Sequence, residues 1–168
     1  MKPGEASSEA DIIPTPRALT GRRGEAAVTR LVACPRCSRP RHLRPLEAGF
    51  QCADVICKFC GFLAQVKATM VSPDRRPSRL LGGSWARQHE QILADIFQAL
   101  FIVTLAQNGK PIAIYYVPSH ILRAHPAVYR PRNALAATAR RPNFRGFMYD
   151  LTQLPEVGIQ QVYPPDSE

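Results

Sequence analysis

The chain has 168 residues, 45% of them apolar, and a formal net charge of +9, with arginine supplying 18 of its 22 cationic side chains. That is enough chain for one domain with a sizeable core, and an arginine-dominated surplus of charge favours a polyanionic partner such as nucleic acid. No apolar run is long enough to span a membrane, and no apolar segment follows Lys2 as a secretory signal requires, so a cytoplasmic protein is expected.

Residues 1–20 carry Pro, Ser and Glu with little apolar pattern and read as a mobile tail. From Gly24 to Ala33 the spacing of Ala26, Ala27, Val28, Leu31 and Val32 predicts a helix with Glu25 in its first turn, running into Cys34. A basic loop follows, with Arg36, Arg39, Arg41, His42 and Arg44. Phe50–Ile56 and Phe62–Met70 read as strands. In the second, Phe62, Ala64, Val66 and Ala68 share one face, while Leu63, Gln65 and Lys67 share the other. Residues 71–83 look like a Pro/Gly/Arg-rich loop, and Ser84 like the N-cap of a helix from Trp85 to about Leu100. Phe101–Leu105 and Ile112–Val117 form a hairpin around Asn108-Gly109. Pro118-Ser119-His120 opens a short helical turn, Phe144–Tyr149 and Ile159–Tyr163 read as strands, and residues 164–168 as a tail. From Ile121 to Arg145 there are six arginines and no acid, a pattern that suits a phosphate-facing surface.

The cysteines carry the strongest local signal. Cys34-Pro-Arg-Cys37 and Cys57-Lys-Phe-Cys60 are two Cys-x2-Cys knuckles, 19 residues apart. Two such knuckles supply four soft ligands to a closed tetrahedral zinc site. A closed site leaves no position for a reactive water, so this zinc is structural. Cys52 is the spare and reads as a core residue on a strand. If the knuckles hold the two strands side by side, Asp54 can approach Gln65 and Lys67. Spacing alone also fits ordinary polar residues on a solvated sheet face.

Several stretches together resemble the catalytic domain of the Dpn-type, methyl-directed restriction endonucleases, the Dam-replacing family. They are the helix with Glu25 leading into Cys-Pro-x-Cys, Ala53-Asp54-x-x-Cys57-x-x-Cys60 followed by Lys67, and the hairpin ending at Val117-Pro118. With them go Leu135-Ala136-x-Thr138-Ala139-Arg140-Arg141 and Asp150-Leu151-Thr152-Gln153-Leu154-Pro155. The resemblance covers about residues 20–163. It implies an α/β fold, a restriction-endonuclease-like (PD-(D/E)xK) mixed sheet flanked by helices, with an inserted four-cysteine zinc site, over residues 21–163. It also implies double-stranded DNA as partner and Mg²⁺ as catalytic cofactor. The family's metal-binding Asp matches Asp54 and its catalytic Lys matches Lys67.

Where the family has Glu, this chain has Gln65. A Gln carbonyl can ligate Mg²⁺ but adds no charge, and Glu25 is a candidate for the missing acid. Gln-x-Lys also resembles the Mrr branch of the same superfamily. Arg140, Arg141 and Arg145 are the expected DNA contacts. The family's enzymes carry a winged helix after this domain, and residue 168 leaves no room for one, so methyl-adenine specificity is not carried over from the resemblance. Two other classes fit the same residues: a nuclease core that binds DNA without cutting it, and a zinc-ribbon nucleic-acid adaptor. Metal-dependent cleavage separates the first reading from both.

Overall fold

The computed structural model describes residues 15–47, 50, 52–72, 78–84, 90, 91, 93–124, 129–133, 136–138, 145–154 and 158–164. Helix α1 spans Pro16–Leu31. It starts well before Gly24, so residues 16–20 belong to the helix and Glu25 lies in its middle. The start is set by Thr15, whose hydroxyl accepts the Ala18 N–H at 3.3 Å, and by Pro16, a residue preorganised for the first turn.

Strands β1 (Leu43–Pro45), β2 (Val55–Cys57), β3 (Leu63–Met70), β5 (Ala99–Leu105), β6 (Pro111–Val117) and β9 (Gln160–Tyr163) form one sheet in the order β1-β2-β3-β5-β6-β9. Only β3 and β5 run parallel; the other neighbours are antiparallel. A second sheet, β4-β8-β7, is built from Arg79–Ser84, Arg145–Asp150 and Tyr129–Pro131. A short helix α2, Ser119–Ala124, follows β6. The mixed α/β architecture is the one the sequence implies.

Strand β5 is buried at all seven positions, and its alternation divides the core. Ala99, Phe101, Val103 and Leu105 pack with Ala27 and Val28 of α1 and with Ala64 and Val66 of β3. Leu100 and Ile102 pack with Leu122 of α2 and with Leu80, Tyr149 and Leu151 of the small-sheet side. The large sheet is therefore covered by α1 on one face and by the small sheet with α2 on the other.

Several boundaries differ from the sequence reading. The strand expected over Phe50–Ile56 begins only at Val55; Cys52 stands at φ 80°, a left-handed conformation that breaks an extended run. The basic loop contains β1, which pairs Leu43 with Cys57 and Pro45 with Val55. Gly82-Gly83, read as loop, lie in β4 opposite Phe147 and Gly146. The helix expected to reach Leu100 stops earlier. Asp95 is left-handed at φ 63°, and Ile96 N–H donates to the Gln91 carbonyl at 2.8 Å, a Schellman-type ending. Leu93 and Ile96, apolar residues within that expected helix, are 74% and 50% exposed. His89 and the Pro/Arg part of the loop, residues 73–77, lie outside the described residues.

Candidate active site and metal centre

The two knuckles have the same backbone. Ser38 N–H donates to the Cys34 carbonyl at 2.8 Å and Gly61 N–H to the Cys57 carbonyl at 2.9 Å; Ser38 and Gly61 take the left-handed φ of 56° and 70° that closes each turn. Lys58 N–H donates to the His42 carbonyl at 3.0 Å, which fastens the second knuckle to the chain entering β1. The four Sγ atoms lie within 4.8 Å of one another, with Cys34–Cys60 at 3.5 Å and Cys37–Cys57 at 3.8 Å. A tetrahedral zinc with bonds of about 2.3 Å needs sulfur–sulfur edges of about 3.8 Å, so these cysteines fit such an ion. Burial pushes the Cys34 thiol up to about 12. Cys57 is also raised by burial, but N–H donors from Cys60 and Phe59 outweigh that and bring it down to about 7. Metal binding would take up the cluster as thiolates and release the remaining protons.

The Cys57–Cys60 knuckle joins β2 to β3, and this fixes Asp54. Register pairs Val55 with Ala64 and Ile56 with Leu63. Just ahead of β2, Asp54 N–H donates to the Ala64 carbonyl at 2.9 Å. Its carboxylate Oδ2 then accepts the N–H of Val66 at 2.7 Å. Asp54 is thus held against β3 at the end of β2, on the residue that lies between Gln65 and Lys67.

Gln65 is buried, at 7% exposure, on the small-sheet face of β3. Its Oε1 accepts the Tyr149 hydroxyl at 3.0 Å. Burial, then the charge of Asp54, holds the Tyr149 phenol above its ordinary value, so it remains a donor at working pH. Glu25 reaches the same place from α1. Burial, then the Asp54 charge, raises its carboxyl above the ordinary value, while Lys67 and Arg22 pull it the other way. Two carboxylates that feel each other, beside a lysine, form a site that a cation would relieve.

Asp54, Gln65 and Lys67 are therefore brought together from the approach to β2 and from β3, with Glu25 of α1 in electrostatic reach of Asp54 and Lys67. Arg140 and Arg141 lie outside the described residues, and Arg145 opens β8 opposite Ser84. Tyr149 was not singled out in the sequence. It lies 84 residues from Gln65 on another sheet, and its own strand pattern shows only an aromatic residue.

One further buried carboxylate, Asp150, sits at the end of β8. The Thr152 hydroxyl donates to it first, against the effect of burial; the Thr152 N–H, Arg79 and Arg130 add to the same side, so its carboxyl is held below the ordinary value. It caps the turn Leu151–Gln153.

Among the described residues, no helix is long and apolar enough to cross a membrane. No curated protein matches the chain. A family model described as DpnI, Dam-replacing family, matches residues 17–164.

Proposed function

The chain belongs to the Dam-replacing family, a family of restriction-type nucleases, and from that premise we propose that it is a metal-dependent endonuclease acting on double-stranded DNA. The observation that carries the reading is Asp54, whose carboxylate is hydrogen-bonded at 2.7 Å to the backbone between Gln65 and Lys67, with Glu25 in electrostatic reach. This is the arrangement expected of a PD-(D/E)xK site.

Asp54, Glu25 and the Gln65 carbonyl would hold Mg²⁺. When bound, that ion neutralises charge on the scissile phosphate and acidifies a water. The side chains do the rest. The bond from Val66 fixes the plane of the Asp54 carboxylate. Tyr149 fixes the Gln65 amide. Lys67 supplies a positive charge where the attacking water or the phosphorane oxygens would lie. Arginines of the segment ending at Arg145, including Arg140 and Arg141, would track the phosphate backbone, giving affinity and salt dependence without sequence choice. Zinc on Cys34, Cys37, Cys57 and Cys60 would hold β2 against β3. Thiolate ligands persist in a reducing compartment, which supports a cytoplasmic location.

The test is plasmid cleavage with adenine-methylated and unmethylated DNA, with Mg²⁺ or Mn²⁺ and with EDTA. Asp54→Ala should abolish cutting and leave zinc content unchanged. Full activity in that variant would disprove the assignment of the site. Preferential cutting of the methylated plasmid would add methyl-adenine direction. Absence of metal-dependent cutting by zinc-loaded protein would favour a DNA-binding core that does not cleave.

A further inference from the structure

The basic loop between the knuckles is not used by the site. Its residues Arg36, Arg39 and Arg41, with Arg44 on β1 and Lys58 in the second knuckle, are all exposed. Five cations exceed the two negative charges that a divalent ion would leave on four thiolates, so compensating the metal centre does not account for them. Their placement is also uneven. The Arg44 Nη1 is spent on the carbonyls of Arg41 and Leu43, at 3.0 and 3.1 Å. Arg36 lies over Phe62, 5.9 Å from the ring centre.

Arg39 is different. Its guanidinium lies 3.7 Å above the ring of Phe59, which is 56% exposed and has His42 at its edge, 6.0 Å away. The Arg39 carbonyl accepts the Cys34 N–H at 3.0 Å, so its backbone is tied to the knuckle. Stacking uses the face of a guanidinium and leaves its in-plane N–H fork directed outward. A fork held in this way loses little freedom on meeting a phosphate.

We propose that this zinc-knuckle head is a second contact for the phosphate backbone of duplex DNA, with Arg39 as its fork and Phe59 as the platform that sets it. The choice of DNA as the polyanion rests on the nuclease reading above. The head is continuous with the candidate site. Cys57 and Asp54 are three residues apart along the chain, at most about 10 Å, which is roughly three base-pair rises along a duplex axis. One backbone can therefore pass both.

The experiment is anisotropy titration of a labelled duplex across a range of salt, without cleavage-supporting metal, using the zinc-loaded protein. Arg39→Ala should weaken binding about tenfold and lower the slope of log affinity against log salt by about one. Arg39→Lys should keep the slope but bind less tightly, because the charge remains while the stack and fork are lost. Phe59→Ala should weaken binding about threefold with the slope unchanged. Wild-type affinity and slope in both Arg39 variants would overturn the proposal, as would a parent protein that does not bind duplex. Plasmid cleavage run beside it separates the two readings. Cutting with normal binding in Arg39→Ala removes the head contact and leaves the nuclease. Arg39-dependent binding without any cutting does the reverse.

Discussion

Gln65 stands where the resemblance leads one to expect a second acid beside Asp54, and its surroundings say what such an exchange would do. It is buried on β3 next to Val66, whose N–H holds the Asp54 carboxylate, and Glu25 is already raised by burial and by Asp54. A third carboxylate there would repel both until a cation arrived. The amide avoids that cost and weakens the hold on the cation. Its Oε1 is fixed by the Tyr149 O–H at 3.0 Å. Gln65→Glu should therefore tighten Mn²⁺ binding, measured by calorimetry, by about tenfold or more. Tyr149→Phe keeps the packed ring and removes only the donor. It should weaken Mn²⁺ binding about fivefold in the parent and about thirtyfold when combined with Gln65→Glu, since a neutral hydrogen bond is worth about 1 kcal/mol and one to a carboxylate about 2. Equal effects in both backgrounds would show that Tyr149 does not act through residue 65. That Asp54 meets β3 between Gln65 and Lys67 could be anticipated from strand alternation and the knuckle spacing, but spacing alone fitted a solvated sheet face equally, and it was the family resemblance that singled these residues out. Tyr149 could not be anticipated, because its contact depends on how a separate sheet docks, and no local period records that.

Gly24 shows what the elements need from one another. A Cβ built there would lie 2.5 Å from the Cβ of Ala68, so α1 sits on β3 at a distance only glycine allows. Gly24→Ala gains about 1 kcal/mol of helix propensity but overpacks by about 1–3, so urea denaturation should find it no more stable, and up to about 2 kcal/mol less stable, than the parent. Pushing α1 away also moves Glu25, so cleavage should fall. Gly21→Ala, where a Cβ would meet nothing within 4 Å, should stabilise by about 1 kcal/mol with activity kept. The small sheet has its own anchor in Asp150. Its carboxyl is depressed, so its contribution is present above about pH 4, the ordinary unfolded value, and is lost as pH falls through the lower folded value. The loss of thermal stability in Asp150→Asn should be full near neutrality and vanish in strong acid. Strands β3, β5, β6 and β9 of the large sheet and the Asn108-Gly109 hairpin were readable from apolar pattern and turn chemistry, whereas β1 was not. Each misread element has its own physical cause. The start of α1 carries Gly21 and Gly24, which hide its apolar spacing; β4 contains Gly82-Gly83 and takes its strand form from pairing with β8; and the left-handed Asp95 ends a helix that hydropathy would have continued.

At the scale of the whole molecule, the candidate site exists only where separate pieces meet: α1 brings Glu25, β3 brings Gln65 and Lys67, the small sheet brings Tyr149, and the knuckles bring Asp54. The last piece is the least secure on its own. β1 and β2 share three residue pairs, and β2 meets β3 over two. A two-stranded ribbon of that size is marginal without further support. A metal on the four cysteines would supply it, since structural zinc sites contribute folding energy directly. Cys57→Ser should thus lose the zinc, lower the thermal midpoint, and reduce cleavage even at saturating Mg²⁺, whereas Asp54→Ala should lose cleavage and keep the zinc, with only the stability cost, about 1–3 kcal/mol, of leaving the Val66 N–H without its acceptor. The comparison discriminates because the two residues are close neighbours in the chain with different tasks. If Cys57→Ser lost its zinc yet cut DNA normally, the Asp54 bonds to Ala64 and Val66 would be sufficient to register β2 on β3. The metal would then serve the head alone, and the effect of its loss should appear in DNA affinity instead of in the cleavage rate at saturating DNA.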